Sequence, residues 1–258
     1  MTNVLTLARV TVREALRQKL AVNLLVFAVA LVFGSFAIST LTFGEQYRVM
    51  VDIGLSAMEV FGTLIAVFLG VGLVAGDVQR RTVYPIVAKP VSRAQYVVGR
   101  YLGLVATTTL NLAVMAVVFA GVLAFYLRGF GFLGSTPFFS TLLAIAVQLA
   151  MIAAVSVLFS TFTTATLAAI FALSLVVAGH LASDLVRYWA IQGSGLGTMG
   201  KALYLLVPNL EALNFKEAMV YKDALGAGRL LPPLAYGVLY SVGVTAVAAA
   251  IFTRRDLR

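Results

Sequence analysis

The sequence predicts an all-α integral membrane protein with six transmembrane helices, and three observations carry that prediction. Only 11% of the residues are charged and 61% are hydrophobic, against about 25% charged in soluble domains. Leu20–Gly44, Tyr101–Leu127 and Leu230–Thr253 carry no formal charge, and Ile53–Gly76 is broken only by Glu59. Gly129–Ser183 is an uncharged run of 55 residues, too long for one crossing. About 20 apolar residues span the hydrocarbon core, so that run is two spans joined by a turn.

Charge placement orients the bundle. With the N-terminus in the cytoplasm, twelve of the nineteen Lys and Arg residues fall on the inner side, as the positive-inside rule requires. Three acids (Glu14, Asp77, Asp256) lie inside and six lie outside. The net charge of +9 therefore belongs to topology and lipid contact rather than to a nucleic-acid partner. Both termini are expected in the cytoplasm, in the inner (plasma) membrane of a prokaryote. The chain has no cysteine, which excludes disulfide and thiol chemistry.

Residues 3–19 read as an amphipathic helix lying on the membrane. Arg9, Arg13 and Arg17 recur every four residues, with Val4, Ala8, Val12, Ala15 and Leu16 on another part of the wheel. Three like charges at this spacing repel, so anionic headgroups or a partner must stabilise them. The first span, about 20–43, is too long for a signal-peptide core of about 7–15 residues and is retained. The second, about 53–75, carries Glu59. A carboxylate there must face protein or water, or be protonated, as a pathway acid or as the structural partner of an outer Arg or Asn.

Gly76–Arg100 is the longest basic interruption, holding Arg80, Arg81, Lys89, Arg93 and Arg100 with Asp77 as its sole acid. Pro85 and Pro90 prevent one continuous helix. The pairs Gly72/Gly76 and Gly99/Gly103 bracket it as two G-x-x-x-G matches, a pattern that allows close backbone approach but arises easily among 22 glycines.

The third span, about 101–127, carries Asn111, and the fourth, about 138–160, carries Gln148. A small polar turn at Ser160–Thr164 leads to the fifth, about 165–182, which ends with His180 and Asp184. That i,i+4 pair could bind a metal or a proton, but one His and one Asp are too few for a metal site, and a satisfied interfacial histidine is the favoured reading. The loop 183–233 is too long for a plain connector. Asn214 with Glu217 resembles a capping box opening a short helix that ends near Gly226, and short re-entrant or extracytoplasmic helices are expected there. Pro232 and Pro233 lead into the sixth span, about 234–252.

Enzyme motifs are missing. Gly195–Ala202 (G-L-G-T-M-G-K-A) approaches the phosphate-cradling loop, but Ala202 lacks the hydroxyl for magnesium, no strand precedes it, and topology places it outside the cell. No hydrolase or zinc-protease constellation is present.

The run Arg81-Thr82 through Ala88-Lys89-Pro90-Val91-Ser92-Arg93 to Tyr96 and Gly99 resembles the acid–x–x–x–G–T–L…L–x–A–K–P–V–S–R…Y–x–x–G–K pattern of permease subunits of type-2 ATP-binding-cassette (ABC) transporters. The resemblance extends over essentially the whole chain as a single permease domain, 1–258. Arg81 stands where that family commonly has Gly, Arg100 replaces the usual Lys, and Asp77 stands in a region more often Glu.

The resemblance implies an ATP-driven exporter subunit that dimerises, as a homodimer or with a homologous permease, and works with two separate ATPase subunits. It implies a coupling helix in the 76–100 loop, with the N-terminal helix as an elbow. Asp77, Arg80, Arg81, Tyr84, Lys89 and Arg93 would form the ATPase-docking surface. Arg9, Arg13 and Arg17 would form the membrane face of the elbow. Glu59, Asn111, Gln148 and His180 are candidate pathway residues. The chain would bind no cofactor or metal itself, and ATP with magnesium would sit on the partner ATPase. An ion-coupled transporter, or a scaffold whose ATPase drives assembly, stays open as an alternative.

Overall fold

A computed structural model describes residues 2–42, 44–79, 92–192, 207–221 and 226–254. The described helices are α1 (Thr2–Ala15), α2 (Lys19–Thr40), α3 (Gln46–Gln79), α4 (Arg93–Leu127), α5 (Thr136–Phe162), α6 (Ala165–Gln192), α7 (Lys216–Val220) and α8 (Ala227–Arg254). Two 3₁₀ turns, Gly131–Gly134 and Glu211–Leu213, complete the described elements. Six helices, all but α1 and α7, are long and apolar enough to cross a membrane. The all-α, six-span reading holds.

The spans differ in burial, and that orders the bundle. The apolar windows of α3 and α5 are 67% and 61% buried, whereas those of α2 and α6 are 22% buried and that of α8 is 28%. Helices α3 and α5 therefore form the centre. Met58, Ile65, Leu69, Leu149 and Ala153 lie in one apolar cluster that extends to α4 and α8. A second cluster joins Ala66 and Val71 of α3 to Ala168 and Ala172 of α6 and to Leu210 and Leu213 of the loop. The outer helices leave Phe27, Phe33, Val177 and Leu239 between 60% and 72% exposed. Apolar surface on that scale requires lipid or another membrane subunit to cover it.

Helices α3 and α4 have 34 and 35 residues, about 50 Å each at 1.5 Å per residue, so both run well beyond a core about 30 Å thick. Both ends of the basic stretch 76–100 are accordingly helical. Helix α3 continues through Asp77 to Gln79, and α4 starts at Arg93. The start of α4 is a complete capping box, with Ser92 and Gln95 bonding reciprocally. The S-x-x-Q signature at 92–95 thus works where Asn214–Glu217 does not. Asn214 instead bonds Glu211 (2.9 Å) and the Lys216 amide (3.4 Å), Phe215 precedes the helix, and α7 ends at Val220. Helix α8 begins earlier than expected, with Pro232 and Pro233 inside it. Their missing N–H groups leave the carbonyls of Gly228 and Arg229 without an i→i−4 donor.

Helix α1 packs its buried face on α4 at Gly99 and Gly103. A Cβ on Gly99 would stand 2.8 Å from Leu7 Cβ and 3.3 Å from the Val4 carbonyl; one on Gly103 would stand 2.7 Å from the Ala8 carbonyl. The G-x-x-x-G match is therefore a real groove. Beside it Arg100, only 4% exposed, pairs with Glu14 at 2.6 Å and donates to Thr11 Oγ1 at 3.3 Å. Arg9, Arg13 and Arg17 remain exposed, with Leu5, Val10 and Leu16 exposed around them.

Candidate functional site

Between the last turns of α6 and the start of α8, the chain dips into the bundle at the end away from α1. Residues 207–221 carry Leu210, Leu213, Phe215 and Met219, all buried, and their backbone is tied to four spans. Leu210 N–H donates to the Gly179 carbonyl of α6 (3.3 Å), Thr141 Oγ1 of α5 to the Phe215 carbonyl (3.1 Å), and Tyr47 OH of α3 to the Met219 carbonyl (3.3 Å). Asn209 N–H donates to Tyr236 OH of α8 at 3.0 Å. Glycine at 179 is needed because a Cβ there would lie 2.6 Å from the Pro208 carbonyl oxygen. This seating carries α7, and with it Lys216, against α3.

The result is a polar cluster inside apolar walls. Lys216 Nζ pairs with Glu59 Oε2 and donates to Ser56 Oγ at 3.3 Å. Gln148 Nε2 donates to Glu59 Oε1 at 2.6 Å. His180 Nε2 lies 2.8 Å from the same oxygen and 3.2 Å from Gln148 Nε2. His180 Nδ1 lies 3.0 Å from the Val176 carbonyl, which can only accept, so Nδ1 carries a proton in this arrangement. Glu59 is 6% exposed. A carboxylate so placed is tolerable only because both oxygens are occupied by donors, one of them an ammonium.

A cavity of about 480 Å³ opens beside the cluster between α3 and α6, walled by Val60, Leu64, Leu173, Val176, Val177 and Leu181. Glu59, His180 and Lys216 all line it. That volume falls within the range of about 300–1,000 Å³ typical of ligand pockets. A mostly apolar chamber with a few convergent polar groups can hold a molecule that is apolar over most of its length and polar at one end.

Three of the four candidate pathway residues thus meet in one place. Asn111 does not: it is buried on α4 and lines no part of the cavity. His180 pairs with Glu59 rather than with Asp184, because the ring turns into the bundle while Asp184 stays exposed. Lys216 was missed. The available signal was a Lys on the short helix expected after Asn214, in a chain whose sole mid-span acid needed a partner.

Of the candidate docking residues, Arg80, Arg81, Tyr84 and Lys89 lie outside the described residues, as does Gly195–Ala202, and Asp77 is described only as part of α3. Arg93 is placed at the other end of the bundle from the cavity. Its Nη1 donates to the Thr253 carbonyl of α8 at 3.3 Å, and one turn later Tyr96 stacks on Phe252 at 5.6 Å between centroids. Thus α1, the start of α4 and the end of α8 form one packed unit directly after residues 80–91.

Among known proteins, the family model of the ABC-2 family transporter proteins matches residues 5–257. A search of curated proteins finds no match. A match over nearly the whole chain and six apolar helices agree: the chain belongs to the ABC-2 family of transporter membrane proteins, as a multi-pass subunit of the permease type.

Proposed function

We propose that this chain is the transmembrane subunit of an ATP-driven exporter, pairing with a second permease copy and working on two separate ATPase subunits that hold ATP and magnesium. The observation that carries the reading is the family match over residues 5–257, a region whose described residues are bundle helices and their connections. In this reading the energy for transport enters from the separate ATPase subunits. The basic stretch around Arg80, Arg81, Lys89 and Arg93 is the surface we assign to that contact, since guanidinium groups suit carboxylates on a partner. Its position supports the assignment: α4 leaves it through a capping box and immediately grips α1 and α8. A push on it reaches three helices together. The exposed basic face of α1 suits anionic headgroups of the inner membrane.

The test is isolation of the native complex. We expect a nucleotide-binding subunit to copurify, and Arg80→Glu/Arg81→Glu to abolish ATP-dependent transport while the permease still inserts. Failure to recover such a subunit, with transport following an ion gradient, rejects the reading. A second reading has one observation in its favour. The Glu59–His180 contact at 2.8 Å inside the spans is the kind of paired ionisable site a proton-coupled carrier needs. Transport that persists without ATP and collapses with the proton gradient selects it.

A further inference from the structure

We propose that the cavity between α3 and α6 binds an amphiphile with an anionic headgroup, phosphate or carboxylate, held by Lys216. Its hydrocarbon part lies against Val60, Leu64, Leu173 and Val177. As a statement about cargo this rests on the permease reading above; as a statement about binding it rests on the donor arrangement alone.

The polarity of the cavity follows from which groups have capacity left. Glu59 is the cluster's acid, yet its side chain is only 7% exposed, and its oxygens already receive Gln148, His180 and Lys216. It has little left to offer a cation. Lys216 has three N–H groups; one serves Glu59 and one serves Ser56. Among the described residues the third has no protein partner, and the Lys216 side chain is 19% exposed. The His180 side chain is 34% exposed and lines the same cavity. An entering headgroup therefore meets the Lys216 ammonium, with the acid behind it. A cationic headgroup is repelled by Lys216, and a neutral one forgoes the charge-assisted bond.

The walls settle the rest of the ligand. Val60, Val177 and Leu181 are 54%, 60% and 50% exposed. Leu64 on α3 and Leu173 on α6 lie one to two turns farther toward the middle of the bundle than Glu59 and His180. An extended chain can run down this groove from a headgroup at the α7 end. A sugar or a small ion would leave the apolar wall uncovered and the wall would leave its polar groups unpaired.

The experiment uses the full-length protein, with any copurifying subunits, in nanodiscs of neutral phosphatidylcholine and without nucleotide. The probe is radiolabelled dodecyl phosphate, with empty nanodiscs subtracted. We expect saturable binding, with dodecyltrimethylammonium and dodecanol competing about 10-fold more weakly or worse. Lys216→Met should weaken binding by a similar factor of about 10 and Lys216→Arg should restore most of it. Val177→Trp, which fills the groove one turn before His180, should abolish binding in a folded protein. Equal competition by the cationic or neutral amphiphile overturns the proposal. So does wild-type binding by Val177→Trp, and so does inorganic phosphate competing as well as the long-chain probe, which would make this a free-anion site. A complex that retains its ATPase yet binds no dodecyl phosphate rejects the cargo class alone. Binding in a protein that yields no ATPase rejects the permease reading alone.

Discussion

Replacing Gly103 with Ala should release α1 from α4, and the size of the effect can be worked from the groove. The added Cβ would lie 2.7 Å from the Ala8 carbonyl oxygen and closer still to Thr11 Cβ. Backbone cannot rotate away as a side chain can, so α1 has to lift. Overpacking of this kind costs about 1–3 kcal/mol. Alanine is the better helix former by about 1 kcal/mol, but α4 is helical whether α1 is docked or not, so that gain cancels. The undocked population should then rise about 5- to 150-fold. The chain has no cysteine, which makes the assay direct. Thr11 is 0% exposed when α1 is docked, so a Thr11→Cys reporter reacts with a membrane-impermeant maleimide only from the undocked state, and its rate tracks that population. Gly121, where an added Cβ would meet nothing within 4 Å, supplies the control. If Gly103→Ala labels within about twofold of the Gly121→Ala control, α1 is not held by this groove and the reasoning fails.

Four further outcomes follow from the ion pairs and the inserted loop. Glu14→Gln should cost about 1–2 kcal/mol in unfolding titrations, because Arg100 is left buried while Glu14 itself is 42% exposed and partly screened. Glu45→Gln, whose partner Arg48 is 52% exposed, should cost less than about 1 kcal/mol. Lys216→Met should destabilise by about 3–5 kcal/mol by leaving buried Glu59 without its cation, and Glu59→Gln in the same chain should recover much of that loss; additive single effects would argue against the pair. Gly179→Ala should cost about 1–3 kcal/mol by pushing on the Pro208 carbonyl 2.6 Å away. Gly34→Ala, with open space around it, should show no such loss.

Hydropathy placed the spans well because a membrane crossing is a property of one continuous segment. Leu20–Gly44 or Tyr101–Leu127 declares itself without reference to any neighbour. Boundaries were poorer where the helix outran the apolar run. Helix α3 begins at Gln46 and carries on through Gly72 and Gly76, and α8 carries Pro232 and Pro233 inside it. Helix-forming tendency and polar residues beyond the hydrocarbon are compatible, so composition cannot mark where the helix stops.

By itself, then, the sequence determined an all-α six-span protein, its uneven basic charge, the isolated acid Glu59 and the resemblance that the family match bears out. Tertiary structure alone decided what those residues face. Gly99 and Gly103 form the seat of α1, and Glu14 answers Arg100 across 86 positions of chain. Gln148, His180 and Lys216 converge on Glu59 from α5, α6 and α7. The reason is physical: an intramembrane charge announces that it needs a partner, but which partner arrives depends on how separate helices pack, and no local pattern encodes that.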